Sequence, residues 1–273
     1  MKVELLISAM NANIDELAAR MRISSDALVI NQCGREAYEE RELDGHLVRM
    51  YSYIERGIGK SRNHAIEHAE GDICLFADED IVYRDGYEES IIREFNAHPE
   101  ADMLLFNIEV SADRFTYFNT EYKRVRWYNS GRYGAVSFAI RRSALLTSKV
   151  TFSELFGGGA KYLNGEDSIF LKKLIDKGYH IYASPVTVGR EVSCGGSSWF
   201  EGINERFYHD RGVLYGVLYG RIMARIFGLR WLMVGKNVRI DDIPFMRAYR
   251  YLKSGIAEGC RLGAFSLLGY LCH

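Results

Sequence analysis

What most restricts the fold of this chain is a rhythm. Short apolar runs of β-compatible residues, each ending in a polar cluster, alternate with stretches of helical spacing. VELLISAM (3–10) stops at Asn11, and Ile14, Leu17, Ala18 and Met21 then fall on one helical face. DALVINQCG (26–34) and HLVRMYSY (46–53) read as two further strands. GKSRNHAIEHAEG reads as a helix ended by Gly71, DICLFAD as a fourth strand, GYEESIIREFNAHP as a helix stopped before Pro99, and ADMLLFNIEV as a fifth strand. Strands alternating with helices imply a largely parallel sheet covered on both faces. In such sheets ligands bind beyond the carboxyl ends of the strands. Ser8 to Asn11, Asn31 to Cys33 and Asp78 to Asp80 fall at those ends, so they are expected to line one crevice.

The fourth strand carries the sharpest signal. In GDICLFADEDIVYRDGYEES (71–90) the apolar run Ile73 to Phe76 leads into three acids, Asp78, Glu79 and Asp80. Two carboxylates one residue apart repel unless something positive lies between them. A divalent cation that shares its oxygen ligands with phosphate is the natural occupant. A solvated turn explains the triplet alone equally well, because charge runs are mostly exposed. Its place directly after a buried strand favours function.

Three segments in order carry a family resemblance. LFADEDIVYRDGY resembles the D-x-D region of family 2 glycosyltransferases with the GT-A fold. GKSRNHAIEHAEGD resembles the R-N segment that precedes it, and FGGGAKYLNGEDSIFLKKLIDKGYHIYASP the G-E-D segment that follows. The likeness covers about residues 3 to 195 and is greatest toward transferases of bacterial surface polysaccharides. It implies a Rossmann-like α/β domain with a mostly parallel sheet, Mn²⁺ or Mg²⁺ as cofactor, and transfer with inversion from a nucleotide-diphosphate sugar. Asp80 would bind the metal, and Asp78 the metal or the donor ribose. Asp167 would be the general base toward an acceptor hydroxyl, with Glu166 supporting it. Capping of the following helix is the plain alternative for that pair. Ser8, Asn11, Asn31, Gln32, Arg62, Asp78, Glu79, Gly158 and Glu166 make up the implied nucleotide-sugar set, Asn63 shaping the Arg62 loop. Gly157 to Gly159 would let backbone approach the sugar. Trp127, Tyr133 and Trp199 are candidate stacking platforms for the acceptor, although aromatics are more often core. Two departures stand out. Asn31-Gln32 replaces an aspartate that reads uracil in many relatives, so UDP is favoured without being required. No histidine follows YASPVTVGREVS, where some relatives supply a further metal ligand.

Composition narrows the rest. The formal net charge is −1 over 273 residues, which gives no general attraction to nucleic acid. Five cysteines without metal or C-x-x-C spacing suit reduced thiols in a cytoplasmic protein. No signal-peptide pattern is evident, and no window reaches the roughly 20 apolar residues of a spanning helix. The expected division is a catalytic domain over 1–198, with halves near 1–110 and 111–198, and a basic helical extension over 199–273. In 221–273 nine Lys and Arg face three acids, interleaved with Ile222, Ile226, Leu229 and Met233. That suits an anionic membrane surface at the inner face of the plasma membrane, and equally a helical cap or an oligomer contact. A lipid-linked saccharide acceptor would fit the first. CGGSSWFEG reads as an acceptor loop that orders on binding. Two rivals remain: a haloacid-dehalogenase-type phosphatase using Asp78 and Asp80, and a non-catalytic membrane adaptor. RGIGKSRN fails as a P-loop because Gly57 and Gly59 are too close.

Overall fold

The computed structural model describes residues 1–110, 117–192, 202–235 and 243–269, with side chains as far as 263. The chain forms two compact units. One holds the described residues of 1–154 and 166–192; the other holds 155–165 and the described residues from 202 onward.

The first unit runs β1 (Val3–Met10), α1 (Ile14–Met21), β2 (Asp26–Gln32), β3 (Ala37–Leu43), β4 (His46–Tyr53), α2 (Ile58–His68), β5 (Ile73–Asp78), β6 (Ile81–Tyr83) and α3 (Tyr87–Ala97). It continues through β7 (Met103–Glu109), β8 (Lys123–Arg124), β9 (Phe138–Arg141), α4 (Arg142–Ser148), α5 (Glu166–Asp176) and β10 (Ile181–Glu191). The sheet order is β3-β4-β2-β1-β5-β9-β7-β10-β6, with β8 beside β10. Strands β4, β2, β1, β5, β7 and β10 all run one way; β3, β6, β8 and β9 run against them. The sheet is thus mostly parallel, as its spacing predicts, but with β9 wedged antiparallel between β5 and β7.

Both faces of the sheet are buried, which is why its strands read as unbroken apolar runs. On β1, Leu5 and Ile7 point into one core and Leu6 into the other; on β2, Val29 and Leu28 divide the same way. Asn13 caps α1, its side-chain oxygen accepting from the N–H groups of Asp15 and Glu16 at 3.0 and 3.1 Å. Helix α2 ends at His68 rather than at Gly71. Gly71 serves close approach instead: a Cβ there would stand 2.5 Å from the Glu4 Cβ. Strand β3 (AYEEREL) is not legible in the sequence, because an edge strand with solvent on it carries charges where apolar residues would mark it.

The second unit is built on α6 (Glu205–Val234) and α7 (Phe245–Gly269). At Gly220 the backbone of α6 leaves the helix, with φ 66° and ψ 179°, a conformation only glycine takes readily. The rings of Phe207 and Trp231 lie 5.6 Å apart. In a straight helix they would stand about 36 Å apart at 1.5 Å per residue, so α6 is a hairpin of two helices, 205–219 and 221–234. Backbones meet closely between α6 and α7. A Cβ on Gly255 would lie 2.0 Å from the His209 oxygen, and one on Gly259 2.0 Å from that of Val213. The loop 155–165, expected within the catalytic domain, belongs to this unit: Tyr162 and Lys161 donate to Glu258, and the Leu163 N–H to Asp210.

Candidate active site

Strand register brings the polar ends together. Ser8 on β1 pairs with Asp78 on β5, Ala9 with Asn31 and Met10 with Gln32 on β2, and Gln32 in turn with Tyr53 on β4. Just beyond, Asn11 turns the chain with φ 51°. Two amides hold this rim. Asn31 accepts from the Ala12 N–H at 3.0 Å and donates to the Ser52 hydroxyl, while Gln32 both accepts from the Gly57 N–H and donates to its carbonyl. Ser8 accepts from the Ser61 hydroxyl at 2.8 Å. These groups, read as ligand contacts, spend their side-chain bonds on fastening the loops that follow β1 and β4.

Helix α2 delivers the R-N pair. Asn63 clamps the Phe152 backbone from both sides, at 3.1 and 2.8 Å. Arg62, expected to reach out to the nucleotide, is instead only 4% exposed. Its guanidinium donates to Glu166 at 2.8 Å and to Asp78 at 3.1 Å, and stands 5.4 Å above the Phe152 ring. Its Nε is buried with no partner among the described residues. Burial works against the Arg62 charge, but Asp78, Glu166 and Asp167 outweigh it and hold the proton more tightly than usual.

The acids divide by role. Asp78 ends β5, half open to solvent, and Asp80 sits in the turn to β6. Glu79 is drawn away from them: it accepts from the Met10 N–H at 3.3 Å and from Arg20 at 3.2 Å, so it ties α1 to β1. Asp167 lies in the first turn of α5, accepting from the Ser168 N–H at 2.6 Å. Burial, and then Glu166 beside it, push its carboxyl up to about 7, against the pull of Arg62 and the Ser168 bonds. Gly134, which the sequence does not single out, faces it; a Cβ there would stand 3.9 Å from the Asp167 oxygen.

Among the described residues no three His, Cys, Asp or Glu side chains cluster as a metal site. The donor set still suits a hard cation that takes most of its ligands elsewhere. Asp78 and Asp80 offer carboxylate oxygens at one strand end, and the carboxylates around Arg62 outnumber its single charge.

The remaining candidates separate. Tyr133 is 8% exposed within the core, so it offers no face to a sugar; this corrects its reading as a stacking platform. Trp127 is exposed and meets Tyr128 edge-on. Gly158 belongs to the second unit, and Trp199 and most of CGGSSWFEG lie outside the described residues. A cavity of about 380 Å³ opens at the opposite end of the strands, lined by Lys2, Asp26, His46 and Glu88. Lys2 and Asp26 pair with each other there, away from Asp78.

Residues 35–147 match the model of glycosyl transferase family 2. No curated protein sequence matches the chain. Among solved structures, Staphylococcus aureus TarS 1–349 in complex with UDP-GlcNAc is similar over 98% of this chain and 92% of that one, with a TM-score of 0.62 and 15% identity. The same fragment in complex with UDP gives 0.60 at 14% identity and the same coverage. Longer TarS gives 0.58 at 15% identity, over 96% of this chain and 54% of that one. The fold is therefore GT-A, which removes the phosphatase reading, and residues 35–147 carry the likeness to glycosyl transferase family 2.

Proposed function

We propose that this protein, with its family 2-like segment and GT-A fold, is a glycosyltransferase that moves a sugar with inversion from a UDP-sugar to an acceptor hydroxyl. The acceptor we assign is a lipid-linked saccharide of surface-polysaccharide synthesis. One observation carries the reading: buried Arg62 joins the strand-end carboxylate Asp78 to Glu166, beside an Asp167 carboxyl lifted to about 7. A donor-side carboxylate and a base poised near neutral pH thus belong to one network. The TarS structures holding UDP-GlcNAc and UDP support uridine as the donor base.

In the proposed reaction Asp167 accepts the proton of the acceptor hydroxyl. The freed oxygen bonds to the anomeric carbon from the face opposite the diphosphate, and the bond from that carbon to the phosphate oxygen breaks. Asp78 and Asp80 would hold Mn²⁺ or Mg²⁺, which when bound neutralises charge on the departing diphosphate. Arg62 keeps Asp78 and Glu166 in place, and the amides of Asn31 and Gln32 hold the rim against which the nucleotide would lie. The basic C-terminal segment would keep the enzyme at the anionic, cytoplasmic face of the membrane, where a lipid-linked acceptor is presented.

The test is calorimetry with UDP, GDP and dTDP, each with and without Mn²⁺, followed by turnover of UDP-sugars. UDP binding that needs Mn²⁺ and disappears in Asp80→Asn is expected. Asp167→Asn should keep that binding and lose transfer. Equal loss of nucleotide affinity in both variants would contradict the two roles, and no binding of any nucleotide would sink the reading.

A further inference from the structure

The helical unit carries a surface that no catalytic step uses. On 221–234, the second arm of the α6 hairpin, Ala224, Gly228 and Leu232 are buried. On the opposite side Ile222 is 75% and Ile226 54% exposed, and Leu229 and Met233 are exposed with them. At about 100° per residue these four fall within a narrow arc of the helix. Arg221 and Arg225 border that arc on one side and Arg230 on the other. Residues 211–240 contain six Lys and Arg and no acid.

By length and composition α6 passes as a membrane span, but its break at Gly220 leaves arms of about 15 residues, and crossing needs about 20. A helix with an apolar strip between arginines lies in the headgroup plane instead. A second copy of the same face would set arginines against arginines with no acid on the arm to pair them.

We infer that the 221–234 arm is a monotopic anchor: it lies flat in an anionic lipid surface, with Ile222, Ile226 and Leu229 among the acyl chains and Arg221, Arg225 and Arg230 on the headgroups. This rests on the membrane placement proposed above and names the element that makes it. The anchor acts without nucleotide and without metal.

The full chain is floated with phosphatidylcholine vesicles with and without phosphatidylglycerol, at low and high salt. Each preparation is also titrated with UDP and sized by light scattering. Binding should require phosphatidylglycerol and weaken with salt. Ile222→Ser/Ile226→Ser and Arg221→Glu/Arg230→Glu should each lower partitioning by about tenfold or more. All four positions are exposed, so UDP binding should hold in both variants. Loss of UDP binding in the parent chain with vesicle binding intact would strike the transferase reading alone. No vesicle binding by the parent chain, equal binding to neutral vesicles, or partitioning unchanged in both variants would overturn the anchor. So would a dimer in solution that the isoleucine variant dissolves, because the face would then belong to a second copy.

Discussion

Two buried arginines sit at opposite ends of the same sheet, each between two carboxylates, and they are built differently. Arg49 donates to Glu4 and Glu70, both at 2.6 Å, and to the His68 carbonyl. The second Glu4 oxygen accepts from the N–H groups of Glu70 and Gly71, so that acid is fully engaged. Arg62 makes longer or fewer bonds, 3.1 Å to Asp78 and 2.8 Å to Glu166, and keeps an unpartnered Nε. Asp78 is partly open, and Asp167 next to Glu166 is held near neutrality. A closed, satisfied ion cluster fixes a fold; the one at the carboxyl ends of the strands is left less completely satisfied, which suits the role proposed for it.

The largest effect should come from opening the closed cluster. Arg49→Ala leaves Glu4 buried without its cation and is expected to cost about 3–5 kcal/mol in urea unfolding, while the fraction that stays folded binds UDP as before. A larger loss of UDP affinity than of stability would erase the contrast between the two arginines.

Asp167→Asn should lower turnover about a thousandfold, within the range of a lost general base, and leave the urea midpoint at neutral pH equal or higher. A variant that unfolds would assign Asp167 to architecture instead. Arg62→Lys should lower turnover about 10- to 100-fold, because an ammonium cannot bridge Asp78 and Glu166 with the planar fork of a guanidinium. Arg62 pulls the Asp167 carboxyl down, so Arg62→Met should move the acid limb of the pH–rate profile to higher pH. A limb that stays in place would mean Asp167 does not feel Arg62.

A further effect is on stability against pH. The Asp167 carboxyl titrates at about 7 when folded and at about 3.9 in an unfolded chain. The folded state then holds that proton more tightly, so this group makes stability fall as pH rises from about 4 through 7, with the penalty complete above. Melting temperature over that window should decline in the parent chain and flatten in Asp167→Asn. Parallel curves would place the group that titrates elsewhere.

Much of the first unit was legible because its information is local. Apolar runs mark the strands buried on both faces, Asn13 marks the start of α1, and the acids at 78–80 and 166–167 mark the end of β5 and the start of α5. Where an element's character depends on a distant neighbour, that legibility stops. Strand β3 hides behind its charges because water covers it, and the reversed β9 is an apolar run whose direction only β5 and β7 decide.

The same boundary runs through the site. The sequence by itself determined which groups are present and at which strand ends, since periodicity and turn chemistry are properties of neighbouring residues. Tertiary structure alone decided that Arg62 faces inward to Glu166, 104 positions away, that Glu79 turns aside to Arg20, and that Tyr133 is core. It also decided that α6 folds back at Gly220 and so presents an apolar arm to solvent. The reason is physical: a side chain's proton affinity and exposure are set by what packs around it, and those partners come from segments far apart along the chain.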